Sequence, residues 1–415
     1  MKKHVNACVL YAATSILISQ VALAAEQDEL DVTRKEFDEL KKQVNTIQPS
    51  ASTQSSFNPA ISLILIGRYA SFDNDPEDYA IPGVTLADET DPGKEGFSLA
   101  ETELILSGNI DDKFFGRFTT ALTPENEIEI EEAFIQTLGL TAGFDMQFGR
   151  FYSEMGYLNK VHAHYWDFVD QPLIYRAYLG NQYNDDGIQL RWLAPTDLFL
   201  EFGAEAFSGD SFPASSRPAN ESIGSYSLFT KFGGDVGMSH SWQAGLSYLA
   251  TQSVDRETEE GTILFTGDDN MIIADLVWKW APGGNDSRTS FVFQAEFISS
   301  NEQGNYTFAA TGTNPVDRNK DGWYAQVVYK FLPRFRTGMR YDRLNIDDPG
   351  NAFSGTSLDT EGHTPKRLSA MVDFSHSEFS RFRVQYNRDE SYAVADNQWY
   401  LQYIMSLGAH GAHRF

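Results

Sequence analysis

Residues 323–341 read WYAQVVYKFLPRFRTGMRY. Trp323, Ala325, Val327, Tyr329 and Phe331 fall in one phase of a two-residue period, with Gln326 and Lys330 in the other. Successive side chains of a strand point to opposite faces, so one face here is apolar and aromatic and the other is polar. Leu332-Pro333-Arg334 interrupts the run, and alternation resumes at Phe335 with Arg336 and Arg340 in the polar phase. The stretch therefore predicts two antiparallel strands joined by a short turn.

The same unit recurs in both directions along the chain. Trp242, Ala244, Leu246 and Tyr248 share a phase opposite Gln243, Gly245 and Ser247; Ala274, Leu276, Trp278 and Trp280 share another. Segments with this period lie at 61–66, 99–106, 114–122, 129–138, 144–150, 188–194, 198–202, 226–232, 242–250, 272–280, 291–297, 323–331, 335–341, 368–374 and 382–386, and a last one begins at Gln398. That makes 16 strands, with short connections such as 195–197, 282–285 and 332–334 alternating with long ones. Strict alternation of short and long connections around an even number of strands is the layout of a membrane β-barrel, and a sandwich has no reason to keep it. The fold class expected is an all-β, transmembrane, antiparallel barrel. A barrel this wide is not filled by its own side chains, so a polar inner face implies water inside.

The ends of the chain point the same way. Lys2 and Lys3, an apolar run over 7–18 and Ala22-Leu23-Ala24 read as a secretory signal over residues 1–24. The single cysteine, Cys8, belongs to that segment, which leaves the exported part without thiol chemistry. Without Lys2 and Lys3 the balance is 30 basic against 58 acidic residues, a net charge of −28, which excludes a basic nucleic-acid surface. No apolar run after residue 24 is long enough for a membrane helix. Over residues 26–48, Leu30, Thr33, Phe37, Leu40, Val44 and Ile47 alternate at spacings of three and four, the seam of a short coiled-coil stalk. Pro49 ends it, residues 49–56 form a polar linker, and residues 57–415 form the barrel. Leu401, Tyr403, Met405, Leu407 and the final Phe415 keep one phase to the end.

One stretch breaks the strand pattern: residues 151–187, FYSEMGYLNKVHAHYWDFVDQPLIYRAYLGNQYNDDG. A loop this long is functional or disordered, and its wealth of Tyr, Trp, Phe and Leu argues against disorder. Residues 152–184 are expected to fold into the barrel as a constriction. Signal, stalk, linker, barrel and terminal Phe together resemble Gram-negative trimeric porins with an N-terminal stalk, the DcaP-like and siderophore-porin groups. The resemblance implies an outer-membrane homotrimer among lipid and lipopolysaccharide, without cofactor. It also implies that 152–184 corresponds to the third outer loop, which narrows the pore.

Candidate site residues follow from phase and position. Arg336 and Arg340, Arg381 and Arg383, and Lys330 occupy polar phases of late strands; Glu101 and Glu103, and Glu201 and Glu205, occupy those of early strands. A basic wall facing acidic groups would set a transverse field that orients solutes and selects ions. The insertion adds Glu154, His162, His164, Tyr165, Trp166, Asp167 and Asp170. His162-x-His164 followed by an acid is a metal-ligand pattern, but an extended stretch fixes no third ligand, so packing of the loop is the favoured reading and no metal is assigned. Asp317, Asn319, Asp321 and Gly322 match the first half of a calcium loop, yet Val328 stands where the closing acid belongs, and an ordinary Asx-rich turn is the favoured reading. Gly209-Asp210-Ser211-Phe212 and Asp373-Phe374-Ser375-His376 resemble pieces of a GDSL-type hydrolase. Their place at opposite rims, about 25 Å apart, rules against a nucleophile and base that must lie within about 3 Å. The expectation is a non-enzymatic channel passing small hydrophilic solutes by diffusion. A porin selective for a siderophore or chelated metal, and a mainly structural envelope protein, stand as alternatives.

Overall fold

The computed structural model describes residues 59–87, 90–124, 127–215, 222–257, 263–308 and 312–408. The expected signal, stalk and linker, and the tail carrying Phe415, lie outside the described residues. The strands are β1 (Ala60–Ser71), β2 (Gly96–Asn109), β3 (Phe114–Leu122), β4 (Ile128–Thr137), β5 (Phe144–Tyr152), β6 (Asn184–Leu193), β7 (Phe199–Phe207) and β8 (Ser225–Val236). They continue as β9 (His240–Glu257), β10 (Ile263–Trp280), β11 (Ser290–Phe308), β12 (Gly312–Leu332), β13 (Phe335–Ile346), β14 (Lys366–Ser377), β15 (Ser380–Glu390) and β16 (Asp396–Gly408). Each pairs with its neighbours in chain order, and β1 pairs with β16, for example Leu63 opposite Leu407. The sheet is a closed antiparallel barrel of 16 strands with no free edge.

The two phases read from sequence become the two faces of the wall. On β12, Trp323, Tyr329 and Phe331 are exposed on the outside while Tyr324 and Val328 are buried inside. On β10, Ile272, Leu276 and Trp278 face out, with Met271, Ile273 and Val277 inside. Outward aromatic rings pair across strands: Trp192 stacks with Phe144 and Phe202, Phe232 meets Trp242, Trp278 meets Phe291, and Phe335 meets Phe374. Nearer the other rim, Tyr226 pairs with Tyr248, Trp323 with Tyr341, and Tyr386 with Trp399. An apolar outer band with aromatics at its edges suits lipid with two interfaces. Leu276→Arg, in the middle of that band, is expected to lower barrel stability by about 2–4 kcal/mol, measured as a shift in the urea midpoint of folding into bilayers.

Two sequence expectations are corrected. Residues 251–257, 263–270, 299–308 and 312–322 are strand, not loop: strands β9 to β12 run 18, 18, 19 and 21 residues, against nine for β3, β5 and β7. Their alternation continues in polar residues, which a search for apolar phases passes over. For the same reason Asp317, Asn319 and Asp321 do not form a calcium loop. All three lie in β12, where Arg318 and Lys320 take the buried inner phase, and Asp317 and Asn319 bond across the ladder to Gln303 and Asn301. An extended ladder holds them in a row and cannot wrap them around an ion.

The interior is also less open than strand count alone implies. Residues 153–183 descend into the barrel. Ile81, Val84 and Leu86 from the β1–β2 connection join Leu173, Ile174, Tyr178, Met271, Ile273, Ile298 and Leu344 in one buried apolar cluster. The alternating phases describe only the side chains of the wall, and here a folded insertion adds its own volume.

Candidate pore constriction

The insertion leaves at Tyr152 and returns at Asn184, two residues that pair directly in the β5–β6 ladder. Asn159, fully buried, fastens its two ends. Its Nδ2 donates to the carbonyls of Ser153 and Tyr183, at 2.9 Å each, and its Oδ1 accepts from the Tyr183 amide at 2.8 Å. The descending turn is organised by carboxylates of the wall. Glu205 on β7 accepts from the Ser153 hydroxyl at 2.5 Å and the Glu154 amide at 2.9 Å. Glu296 on β11 accepts from the amides of Tyr157 (2.9 Å) and Leu158 (3.1 Å) and from the hydroxyls of Tyr175 (2.8 Å) and Tyr324 (2.5 Å). Gly156 has φ +62°, and a Cβ there would lie 2.5 Å from Glu296 Oε2, so the turn requires glycine. Glu154 pairs with Lys160 at 2.6 Å, Lys231 at 2.5 Å and Arg191 at 3.3 Å. Burial pushes its carboxyl up, but Lys160, Lys231 and Arg191 outweigh that and hold it well below the usual range.

The ascending half contains a short helix, α1 (Leu173–Leu179), set off by Pro172 and ended by Gly180 in the left-handed conformation. Asp342 on β13 accepts from the free amide of Leu173 at 3.0 Å, supplying the cap that Pro172 does not. All seven helical residues are buried, which fits a helix apolar on most sides and packed within a barrel.

Between these halves the insertion meets the predicted basic residues. Arg336 binds Asp167 at 2.8 Å, Arg381 donates to the His164 carbonyl at 2.6 Å, and Arg383 donates to the Trp166 carbonyl at 2.8 Å. Asp170 is the hub. It pairs with Arg340 (2.8 Å), Arg367 (3.0 Å) and Arg176 (3.6 Å) and accepts from Gln385 (2.8 Å) and Asn387 (2.9 Å). Burial raises its carboxyl, and Arg367, Arg340 and Arg176 together drive it far below the ordinary carboxylate range. Asp373 on β14 adds a second carboxylate between Arg336 and Arg383.

The acidic residues gather around the histidines. His164 Nδ1 lies 2.6 Å from Glu103 Oε1, and His162 Nε2 lies 3.0 Å from Glu132, which also binds Arg117 at 3.2 Å. Glu101 is beside Glu103 and Glu131. The Tyr165 ring is 4.0 Å from that of His164, and Trp166 Nε1 donates to the Val161 carbonyl.

The candidate residues of the insertion and of both walls thus meet around one segment. The part of the acidic wall on β2, Glu101 and Glu103, is not opposite the basic one, whereas β7, which carries Glu201 and Glu205, is eight strands from β15 and so lies across the barrel from it. The basic strands β13–β15 and acidic strands β2–β4 are separated only by β16 and β1. Their charges are also engaged by the insertion and do not face each other across open water. Lys330 takes no part, donating to the Asp286 carbonyl at a short turn. Ser211 lies in the loop after β7 and His376 near the end of β14, at a turn to β15.

Residues missed in sequence carry comparable weight: Arg367 and Asp373 on β14, Asp342 on β13, Glu296 on β11, and Glu131 and Glu132 on β4. The first four lie in the polar phase of their strands and were legible by the rule that found Arg336. Glu131 and Glu132 required more. Thr119 pairs with Glu132 but Thr120 with Ile130, so Glu131 is the extra residue of a β-bulge. Both neighbouring side chains thereby reach the histidine cluster. The doubled Glu after the alternating 127–131 was the available signal.

No protein-family model matches the chain. It is 31% identical over 424 residues to an uncharacterized protein of Aquifex aeolicus (strain VF5), covering 95% of this chain and 88% of that one. Among solved structures it is similar to the outer-membrane channel DcaP of Acinetobacter baumannii, with 12% identity, 84% of this chain and 97% of that chain covered, and a TM-score of 0.53. It is also similar to in-vitro folded OmpT, an outer-membrane protein of Vibrio cholerae in its trimer form, with 10% identity, coverage of 84% and 99%, and a TM-score of 0.50. At these identities the likeness to solved barrels is one of fold.

Proposed function

The chain belongs to one family with the uncharacterized Aquifex aeolicus protein, and we propose that it is a porin-type channel of the Gram-negative outer membrane, narrowed by residues 153–183. The observation that carries this reading is the closed 16-strand barrel with an apolar, aromatic-edged outside and a charged inside folded around an inserted segment. The outside suits lipid, and on its outer leaflet lipopolysaccharide. The inside suits small hydrophilic solutes, whose passage the clusters around Asp170 and Glu103 would bias by charge. A homotrimer is supported by the trimer form of the similar OmpT barrel and by the seam over 26–48.

One observation favours a selective pore over a general one. The insertion bonds to β2, β4, β7, β8, β9, β11, β12, β13, β14 and β15, so a solute must fit beside it or displace it. A siderophore or another chelated metal is the solute class this second reading retains.

The test is single-channel conductance of folded, untagged protein in a planar bilayer under a salt gradient. Small steps in groups of three are expected, with a reversal potential displaced from zero. Absence of steps from protein shown to be folded by heat-modifiable mobility would overturn free diffusion. Saturable uptake of a chelated metal would then support the selective reading.

A further inference from the structure

We propose that Glu103, Glu131 and His162 form a binding site for a divalent transition-metal ion of zinc type, which ties the inserted segment to strands β2 and β4. His162 Nδ1 lies 3.5 Å from Glu103 Oε2 and 3.4 Å from Glu131 Oε2, and one ligand atom from each of the three residues lies within 4.8 Å of the others. A tetrahedral ion with bonds of about 2.0–2.1 Å sets its ligand atoms about 3.3–3.4 Å apart, so the two shorter edges already have the spacing of such a site.

The unused atoms converge. His162 Nδ1, Glu103 Oε2 and Glu131 Oε2 are buried and make no hydrogen bond. Glu103 is fully buried and the His162 side chain is 8% exposed. The remaining atoms of the same groups are all held. His162 Nε2 faces Glu132, Glu103 Oε1 faces His164, and Glu131 Oε1 accepts from the Tyr152 hydroxyl at 3.1 Å. A metal-binding imidazole has its other nitrogen on a carboxylate in just this way, which fixes the ring and leaves one lone pair to the ion.

Charge and donor type narrow the ligand. Glu101, Glu103, Glu131 and Glu132 bring four carboxyl groups together, with Arg117 bound to Glu132 at 3.2 Å and His164 to Glu103 at 2.6 Å. Buried carboxylates need a cation within reach, and a divalent ion supplies one. One imidazole and two carboxylates suit zinc and similar ions, whereas calcium takes six to eight oxygens. Glu101 Oε1, also buried without a hydrogen bond, is next in line as a fourth ligand. The cation occupies the position a proton on His162 Nδ1 would fill, so binding releases that proton to solvent. The site differs from the His162-x-His164 pair suggested by sequence. Only His162 offers its nitrogen to the ion, and the wall supplies the acids through the bulge at Glu131. The inference is independent of what the channel carries.

The test uses the full, untagged chain, folded in detergent and freed of metal. Co²⁺ is titrated with visible absorption as the readout, and Zn²⁺ by calorimetry. One Co²⁺ per chain with the intense visible bands of a tetrahedral ion, displaced by Zn²⁺, is expected. His162→Gln should abolish these bands, and Glu131→Gln should weaken Zn²⁺ binding by at least about tenfold. Replacing His410 and His413 by Gln should leave both unchanged. Heat-modifiable mobility verifies folding, and Glu131→Gln decides the matter if His162→Gln does not fold. No tetrahedral Co²⁺ spectrum, or one that survives Glu131→Gln and vanishes with the tail histidines, overturns the site.

Discussion

Asp170→Ala is expected to release the insertion from the wall while leaving the barrel closed. Asp170 is buried and pairs with Arg340, Arg367 and Arg176, and Gln385 and Asn387 donate to it. Without it Arg340 keeps Asp342, and Arg367 keeps more distant partners in Asp342 (3.7 Å) and Asp389 (3.8 Å). Arg176 has no other carboxylate within ion-pair distance among the described residues. Three guanidiniums then confront one another in a site water enters poorly. Breaking a buried pair in this manner costs about 3–5 kcal/mol. The strand ladders contribute nothing to that loss, so the cost falls on the docking of residues 153–183. Limited proteolysis should gain cleavage within 153–183, and single-channel current should become larger and noisier. Asp170→Asn, which keeps an acceptor but not the charge, should lie between. The exposed pair Arg150–Asp186 at 2.9 Å is the control, since a surface pair contributes at most about 1 kcal/mol. Unchanged current and protease pattern in Asp170→Ala would falsify the anchoring role.

The barrel was legible because its signal is repeated. Each strand displays an apolar phase to lipid, as in 323–331, and an error at one strand is outvoted by its neighbours. The insertion lacks that redundancy. Its aromatic content announced that it folds, and His162, His164, Asp167 and Asp170 stood out as polar groups within it. Which wall residue each would meet depends on the path of the chain through the lumen, and no local period encodes a path. The same limit applies at β4. Strict alternation puts Glu131 and Glu132 on opposite faces, and only the bulge against Thr119 and Thr120 brings them to one cluster. Where the structure overturned an expectation, at Asp317, Asn319 and Asp321, a motif had been read without its backbone. The residues fit a loop, and the polar alternation around them belonged to a strand.

Deleting residues 153–183 and joining Tyr152 to Asn184 through a short Gly-Ser turn is expected to raise conductance more than any point replacement. Tyr152 and Asn184 are already paired across the ladder, so a hairpin turn closes the gap without moving either strand. The deletion removes Asp170, Glu154 and His162 together with the chain that buries their partners. Arg340, Arg367, Glu205 and Glu296 then face water, where a unit charge pair at 4 Å is worth about 1 kcal/mol and leaving it unmade matters little. Asp342 and Asp373 stay on the wall to pair with Arg340 and Arg383. The apolar side chains Met271, Ile273, Ile298 and Leu344 lose their cover, which lowers the thermal midpoint, yet the interstrand hydrogen bonds that close the barrel are untouched. Per charge affected, then, removing the whole segment should be milder for stability than removing Asp170 from beneath it. For current the order reverses, because only the deletion takes the inserted segment out of the lumen. Paired measurements on the two variants, of conductance and of the heat-modifiable transition, separate a constriction from a stabilising plug. A deletion variant that folds but conducts no better than the parent places the barrier elsewhere, in the outer connections over residues 81–86 and 353–360 that also pack inward.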